Sequence, residues 1–190
     1  YTGFVSSGFC GTARAGRKNM QAVEIKIATH EQKPVLKWLL ELYAEEFAQM
    51  KGERVAQKQM FVDTDYVDLY WRTPEWVPLL ILYHDKVAGF ALVVSDGFSP
   101  KRGLVRILPD FFVLKKFRRQ GVGKQAAFQI FDKFPGKWEV MQSDFNAAGQ
   151  EFWRRVIREY MGDTFTENVL HNPDWQGPVQ FFDNTSRAQP

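Results

Sequence analysis

Residues 111–124 constrain the fold more than any other segment, because they join an apolar strand to a helix through a basic loop. The stretch FFVL has the composition of a buried strand, and KKFRRQ follows it as a charged loop. Gly121 and Gly123 then stand where a helix begins, and its apolar stripe continues to about residue 134. A strand that leads directly into a helix indicates a sheet with helices packed on it.

The spacing of apolar residues along the rest of the chain predicts further strands and helices, which together with this segment form one mixed sheet. Six strands are predicted at residues 23–27, 77–83, 87–95, 104–114, 137–142 and 179–182. Four helices are predicted at residues 31–49, 64–71, 121–133 and 146–160. The second and third strands flank His84, Asp85 and Lys86 and form a hairpin signal, while Pro109 predicts a bulge or bend. The 190 residues therefore fit a single α/β domain, a central mixed β-sheet flanked by helices on both faces.

The ends of the chain differ in composition from the rest. Residues 1–19 are rich in glycine, serine and other small residues, and we predict a flexible N-terminal extension. Met20 opens a strand-like run, so we interpret it as the natural start; the alternative is a genuine flexible arm. The predicted domain covers residues 20–184, and residues 185–190 are a polar tail.

Charge and cysteine usage limit the classes of partner. The net charge of +3 comes from the basic residues of the extension, and the rest of the chain is neutral, so we expect no nucleic-acid partner. No apolar run approaches the length of a membrane span, and we expect no membrane contact. The single cysteine, Cys10, also lies in the extension, which fits a reducing, cytoplasmic setting.

Glycines at a helix start, beside arginines and lysines, form a candidate phosphate-binding loop. A P-loop needs a glycine five residues before Gly123 and a hydroxyl after Lys124, and those positions hold Arg118 and Gln125. A dinucleotide fingerprint fits the spacing of Gly121 and Gly123, but too long a loop separates it from the strand. A Rossmann-like protein therefore stays open only as a secondary alternative.

A third motif fits both residues and spacing. Arg118-x-x-Gly121-x-Gly123 resembles the pyrophosphate-binding motif of the GNAT superfamily of N-acetyltransferases. Asn146, Gly149 and Trp153 resemble the superfamily's second element, Asn-x-x-Ala-x-x-x-Tyr, which opens the following helix. Together with the order of elements, the resemblance covers residues 23–182 and implies a GNAT-like fold.

The resemblance implies acetyl-CoA as co-substrate, bound where two neighbouring parallel strands separate. It implies pantetheine contacts from the backbone at Val113, Leu114 and Lys115, and from Asn146 on the opposite wall. The implied pyrophosphate site consists of Arg118, Arg119, Gln120, Gly121, Val122, Gly123 and Lys124. Trp153 is expected either in the core or in a wall of the cofactor channel. The scattered histidines have no metal-ligand spacing, so no metal is expected.

The implied reaction is direct transfer of acetyl from sulfur to a primary amine. Asp110, on the strand before the cofactor contacts, is the candidate general base; the alternative is a polar residue beside the Pro109 bulge. Trp153 stands where the superfamily often has a tyrosine acid, and an indole N–H is no acid at physiological pH. Tyr160 and water are the alternatives for protonating the thiolate. A non-catalytic acyl-CoA-binding module on the same fold is the alternative function.

The acceptor side is predicted in residues 51–74 and 97–103. Tyr66, Tyr70 and Trp71 predict either core packing or an aromatic acceptor pocket, with acids nearby that would attract an amine. We expect a small-molecule or peptide amine acceptor and a possible homodimer. A nucleic-acid role carried by residues 1–19 is the remaining alternative.

Overall fold

The computed structural model describes residues 22–52, 64–95, 104–173 and 175–187. Its strands are β1 Val23–Ile27, β2 Trp76–Tyr83, β3 Lys86–Ser95, β4 Arg106–Val113, β5 Lys137–Met141, β6 Thr166–His171 and β7 Gln176–Asp183. Its helices are α1 Lys33–Lys51, α2 Thr64–Arg72, α3 Val122–Lys133 and α4 Ala147–Met161. The N-terminal extension, the loop at 97–103 and most of the loop after α1 lie outside the described residues.

One seven-stranded sheet has the order β1-β2-β3-β4-β5-β7-β6. All neighbouring strands are antiparallel except β4 and β5, which are parallel. This parallel pair meets only where Arg106 is opposite Trp138 and Ile107 is opposite Glu139. Beyond Ile107, β4 stays paired with β3 up to Val113, and β5 pairs with β7. The two central strands therefore separate into a wedge towards their C-terminal ends.

Helices cover both faces of the sheet, as predicted. Leu36 and Leu39 of α1 and Val67 of α2 pack with Phe90 and Phe112 on one face. On the other face, a cluster from α3 and α4 packs on the sheet; its members include Ala127, Ile130, Phe131, Trp138, Trp153, Val156 and Ile157. Burying each large apolar side chain contributes roughly 1.5–3 kcal/mol, so these two layers hold the helices to the sheet.

The hairpin between β2 and β3 forms without a glycine. His84 and Asp85 both have positive φ, 47° and 61°, which is the requirement of a two-residue type I′ turn. Aspartate and histidine tolerate this left-handed conformation better than most residues do. The hairpin prediction is confirmed.

Pro109 lies in a β-bulge, as its position predicts. Val94 is opposite Ile107 and Leu92 is opposite Asp110, so one residue of β3 faces two residues of β4, Leu108 and Pro109. The extra residue changes which side chains share a face: Ile107 and Phe112 both pack under α1, although they are five positions apart and would face opposite sides of a regular strand. Asp110 therefore lies on the face covered by α1 and α2.

Strand β6 was not predicted, and β7 begins earlier than predicted. β6 is an edge strand whose side chains are mostly exposed, Val169 by 56%, so no buried alternation marks it in the sequence. In β7, Gly177 and Pro178 have the composition of a turn. Gly177 has φ 136°, and a Cβ there would lie 2.2 Å from the carbonyl oxygen of Gln142, so the strand needs glycine at this point. Among the described residues, no helix has both the length and the apolar character needed to cross a membrane.

Candidate active site

The loop between β4 and α3 presents a run of free backbone amides. Among the described residues, the N–H groups of residues 119–124 have no backbone or side-chain acceptor. Arg119 and Gly121 have φ of 62° and 78°, and left-handed residues in such a run turn successive amides into an anion-binding concavity. The partial positive charge of the α3 N-terminus adds to the same point. This loop fits a diphosphate.

The two glycines of the motif have different roles. Gly121 adopts the left-handed conformation at the N-cap of α3, where a side chain would be strained. Gly123 lies against α4: a Cβ there would lie 3.2 Å from the ring of Phe152. Gly121 therefore allows the turn of the loop, and Gly123 allows α3 to approach α4 closely.

Several predicted pyrophosphate contacts can come only from the backbone. The Arg118 guanidinium makes two hydrogen bonds to the Glu46 carboxylate, at 2.6 and 2.9 Å, and Nε donates to the Val113 carbonyl at 2.6 Å. Lys124 pairs with Glu159 at 2.8 Å, and the side chain of Val122 is buried. The Gln120 side chain donates to the carbonyl of Lys116 at 2.9 Å. Arg119 is exposed, and none of the described residues forms a hydrogen bond or an ion pair with its guanidinium.

Several backbone groups of the three predicted pantetheine contacts at the end of β4 already form hydrogen bonds within the chain. The Val113 carbonyl accepts from Arg118, and the Leu114 amide donates to Ala88 of β3 at 2.8 Å. The carbonyl oxygens of Leu114 and Lys115 accept from the turn that follows. The amide of Lys115 and the part of β4 that borders the wedge are left for an added strand.

Asn146 is held at the start of α4. Its Oδ1 accepts from the amide of Gly149 at 2.9 Å and caps the helix. A Cβ at residue 149 would lie 2.5 Å from Asn146 Nδ2, so the glycine makes room for this cap. Nδ2 is the atom that the cap leaves for a cofactor contact.

Trp153 lies in the core, with 7% of its surface exposed. It packs against Phe111, Phe131 and Phe152, with ring centroids 5.0–6.2 Å apart. Tyr160 is also committed elsewhere: its hydroxyl donates to Asp132 at 2.7 Å and accepts from Asn184 at 3.2 Å. Neither side chain is arranged to protonate a thiolate beside the phosphate loop.

Asp110 lies next to the wedge, among tyrosines. The bulge at Pro109 directs it to the face of α1 and α2, where it is partly buried and accepts from the Tyr66 hydroxyl at 3.2 Å. Tyr66 and Tyr70 hydroxyls are 2.9 Å apart. Burial raises the pKa of Asp110 to about 6, against the opposing effect of Tyr66 and then Tyr43. Such a carboxyl is ionised near neutral pH and can still accept a proton.

Tyr43 is a site residue that the sequence pattern did not identify. It lies on α1 as part of the helix's apolar stripe, so its spacing indicates only packing. Its ring contacts Phe112 and Phe90, and its pKa is raised by burial and by the neighbouring charge of Asp110. Tyr43 is identified as a site residue because the folded chain brings it close to the Asp110 carboxylate on β4. The sequence alone does not show this proximity.

Trp71 and Asp68 of the predicted acceptor side have structural partners, whereas Asp63 lies outside the described residues. Trp71 donates to the carbonyl of Ala28 at 3.2 Å, and Tyr70 is 2% exposed. Asp68 pairs with Lys33 and with Arg72. Packing therefore accounts for Trp71 and ion pairs account for Asp68, while Tyr66 and Tyr70 belong to the Asp110 cluster. In the part of the chain that the structure describes, no group of three or more His, Cys, Asp or Glu could hold a metal ion.

Comparison with known proteins agrees with this geometry. The sequence profile of the acetyltransferase (GNAT) family matches residues 36–156, which include most of α1, the wedge, the phosphate loop and most of α4. No curated protein matches the chain in sequence.

Solved structures share the fold at low sequence identity. A GNAT-family acetyltransferase from Staphylococcus aureus Mu50 is 14% identical with a TM-score of 0.58, covering 85% of this chain and 99% of its own. The PaiA N-acetyltransferase from Thermoplasma acidophilum, solved with coenzyme A, is 10% identical at 0.60, covering 86% and 99%. An aminoglycoside acetyltransferase, meta-AAC0020, from an uncultured soil metagenomic sample is 18% identical at 0.54, covering 80% and 94%.

Proposed function

The chain belongs to the acetyltransferase (GNAT) family, and we propose that it transfers acetyl directly to a primary amine with Asp110 as the general base. Its enzyme class is acyltransferase, and its co-substrate is acetyl-CoA. The proposed acceptor is a small molecule or a peptide. Aminoglycoside and N-acetyltransferases among proteins of the same fold are compatible with either class.

The observation that carries the proposal is the position of Asp110. It lies on β4 beside the point where β4 and β5 separate, and the bulge directs it away from α3 and α4. The phosphate loop follows the C-terminal end of the same strand, so this carboxyl and the proposed diphosphate site would border one wedge. A base is needed there because an amine is protonated near neutral pH and cannot attack until it loses a proton.

In the proposed reaction, separate groups of the chain hold the co-substrate, accept the proton and stabilise the oxyanion. Bound acetyl-CoA would supply an acetyl thioester. The amides of residues 119–124 would hold its diphosphate, and Asn146 Nδ2 would contact the pantetheine arm. Asp110 would accept the proton from the acceptor's ammonium, directly or through a water. Backbone N–H groups of β4 beside the wedge are the candidate donors to the developing oxyanion.

Protonation of the departing thiolate falls to solvent in this proposal. Trp153 has no acidic proton and is buried, and Tyr160 is engaged with Asp132. Solvent is sufficient because a coenzyme A thiolate accepts a proton from water. A non-catalytic acyl-CoA-binding module remains the second candidate on the strength of the same tryptophan.

A thermal-shift titration with acetyl-CoA, coenzyme A and NADH, followed by acetyl-CoA turnover on a panel of amines, tests the proposal. Ligand at about 100 times its dissociation constant stabilises a native site by roughly 2.7 kcal/mol. We expect both CoA species to raise the melting temperature, NADH to leave it unchanged, and turnover to be lost in Asp110→Asn. Binding without turnover on any amine would support the second candidate instead.

Gly121→Ala has a matched control in Gly52→Ala. Both glycines have φ near +77°, and an alanine at either position is strained to a similar extent, about 1–2 kcal/mol. Gly52 ends α1, and among the described residues no atom lies within 4 Å of a Cβ at this position. We expect only Gly121→Ala to abolish the response to coenzyme A. An equal loss in both variants would show that general destabilisation, and not the loop, is responsible.

A further inference from the structure

We propose that Tyr66 is a positioning residue for Asp110 and that Tyr70 holds Tyr66 in place. This inference rests on the proposed function, because it assigns a role towards the same carboxyl. The two tyrosines lie four residues apart on α2, one turn of helix, so both hydroxyls reach the same side. The nearer one, Tyr66, reaches across from α2 to β4 and donates to Asp110 Oδ2.

The direction of each hydrogen bond follows from the number of protons available. A carboxylate only accepts, so Tyr66 uses its single hydroxyl proton on Asp110. The Tyr66 oxygen must then accept from Tyr70, 2.9 Å away. Both phenols therefore point their protons towards the carboxyl, which stabilises its ionised form in a partly buried site.

Among the described residues, no cationic side chain contributes to stabilising the ionised form of Asp110. The titratable groups that act on it are Tyr66 and Tyr70 from α2 and Tyr43 from α1; on β3 its partner is the apolar Leu92. The guanidinium of Arg118 lies over the Phe112 ring and pairs with Glu46. Burial raises the pKa of Asp110, and only hydrogen bonds from neutral hydroxyls among the described residues lower it.

The pair holds the carboxyl and does not conduct its proton away. Tyr70 is 2% exposed, and its ring packs against Trp76 with centroids 5.2 Å apart. A chain of hydroxyls that ends in the core has no route to solvent. Fixing Oδ2 instead keeps the carboxylate in one orientation towards the wedge, so the acceptor amine meets it in the same geometry in each cycle.

The test is a carbon-13 NMR titration of the Asp110 carboxyl, assigned by its absence in Asp110→Asn. In Tyr66→Phe we expect the midpoint to rise by roughly one to two pH units, because a hydrogen bond to the charged form is lost. Tyr70→Phe should raise it less, since Tyr66 keeps its own donor. Tyr83→Phe is the matched control: Tyr83 lies at the end of β2 against His84 and Phe117, and its loss should leave the midpoint unchanged.

An unchanged midpoint in Tyr66→Phe, or equal shifts in Tyr66→Phe and Tyr83→Phe, would overturn the inference. The titration needs neither acetyl-CoA nor an acceptor, so its outcome is separate from that of the proposed function. A shifted midpoint in a chain that acetylates no amine would refute the proposed function alone. With an acceptor in hand, the acid limb of kcat/KM should move to higher pH with the NMR midpoint in Tyr66→Phe.

Discussion

Replacing Asp110 by asparagine is expected to stabilise the folded chain above neutral pH while removing the proposed base. Burial raises the pKa of this carboxyl from its ordinary value of 3.8 to about 6. The folded chain therefore binds the Asp110 proton more tightly than the unfolded chain does. The contribution of Asp110 to stability is fully present below about pH 4 and is lost as the pH rises through about 6.

The size of the effect follows from the same shift. A pKa difference of this size corresponds to about 3 kcal/mol at a pH where the carboxyl is ionised in both states. Asparagine avoids this cost and keeps an oxygen that can accept from Tyr66. Its amide N–H groups need acceptors of their own, which reduces the expected gain to about 1–2 kcal/mol.

Urea unfolding of the two proteins at about pH 8 and at about pH 4 measures this gain. We expect Asp110→Asn to unfold at higher urea at pH 8 and to lose most of that advantage at pH 4, where the carboxyl of the folded parent is protonated and no longer buries a charge. A variant that is less stable than the parent at pH 8 would refute the reasoning. So would a gain of equal size at both pH values, because it could not come from titration of Asp110.

Two further variants test how the phosphate loop and α4 are held. Glu46→Gln should lower the free energy of unfolding by about 1 kcal/mol and weaken acetyl-CoA binding in a thermal-shift titration, because it breaks the two-bond pair with Arg118. Glu24→Gln, at a half-exposed pair, should change neither quantity. Asn146→Ala should cost about 1 kcal/mol in urea unfolding through loss of the cap to Gly149; an unchanged unfolding midpoint would contradict that role.

Local patterns account for most of the fold. Apolar spacing locates the four described helices within a few residues, because each helix buries one stripe. Pro109 marks the bulge since a proline lacks the N–H that a ladder needs, and a bulge leaves its position unpaired. β6 escaped prediction because an edge strand with exposed side chains leaves no such pattern.

The candidate site was only partly predictable. The phosphate loop lies in consecutive residues, so its motif could be recognised in the sequence. The environment of Asp110 depends on Tyr66, 44 residues away along the chain, and the Arg118 guanidinium is held by Glu46, 72 residues away. Helical spacing indicates that such side chains are buried, but it does not show which charged group they will meet.

The pH dependence of acetyl transfer tests the account most directly. It compares the parent chain with Asp110→Asn, using the best acceptor from the amine panel. We expect kcat/KM of the parent to fall on the acid side with a pKa near 6, and turnover of Asp110→Asn to be lost across the range while coenzyme A still binds. An Asp110→Asn variant that acetylates the amine at the parent's rate, with the same acid limb, would contradict the assignment of Asp110 as the base.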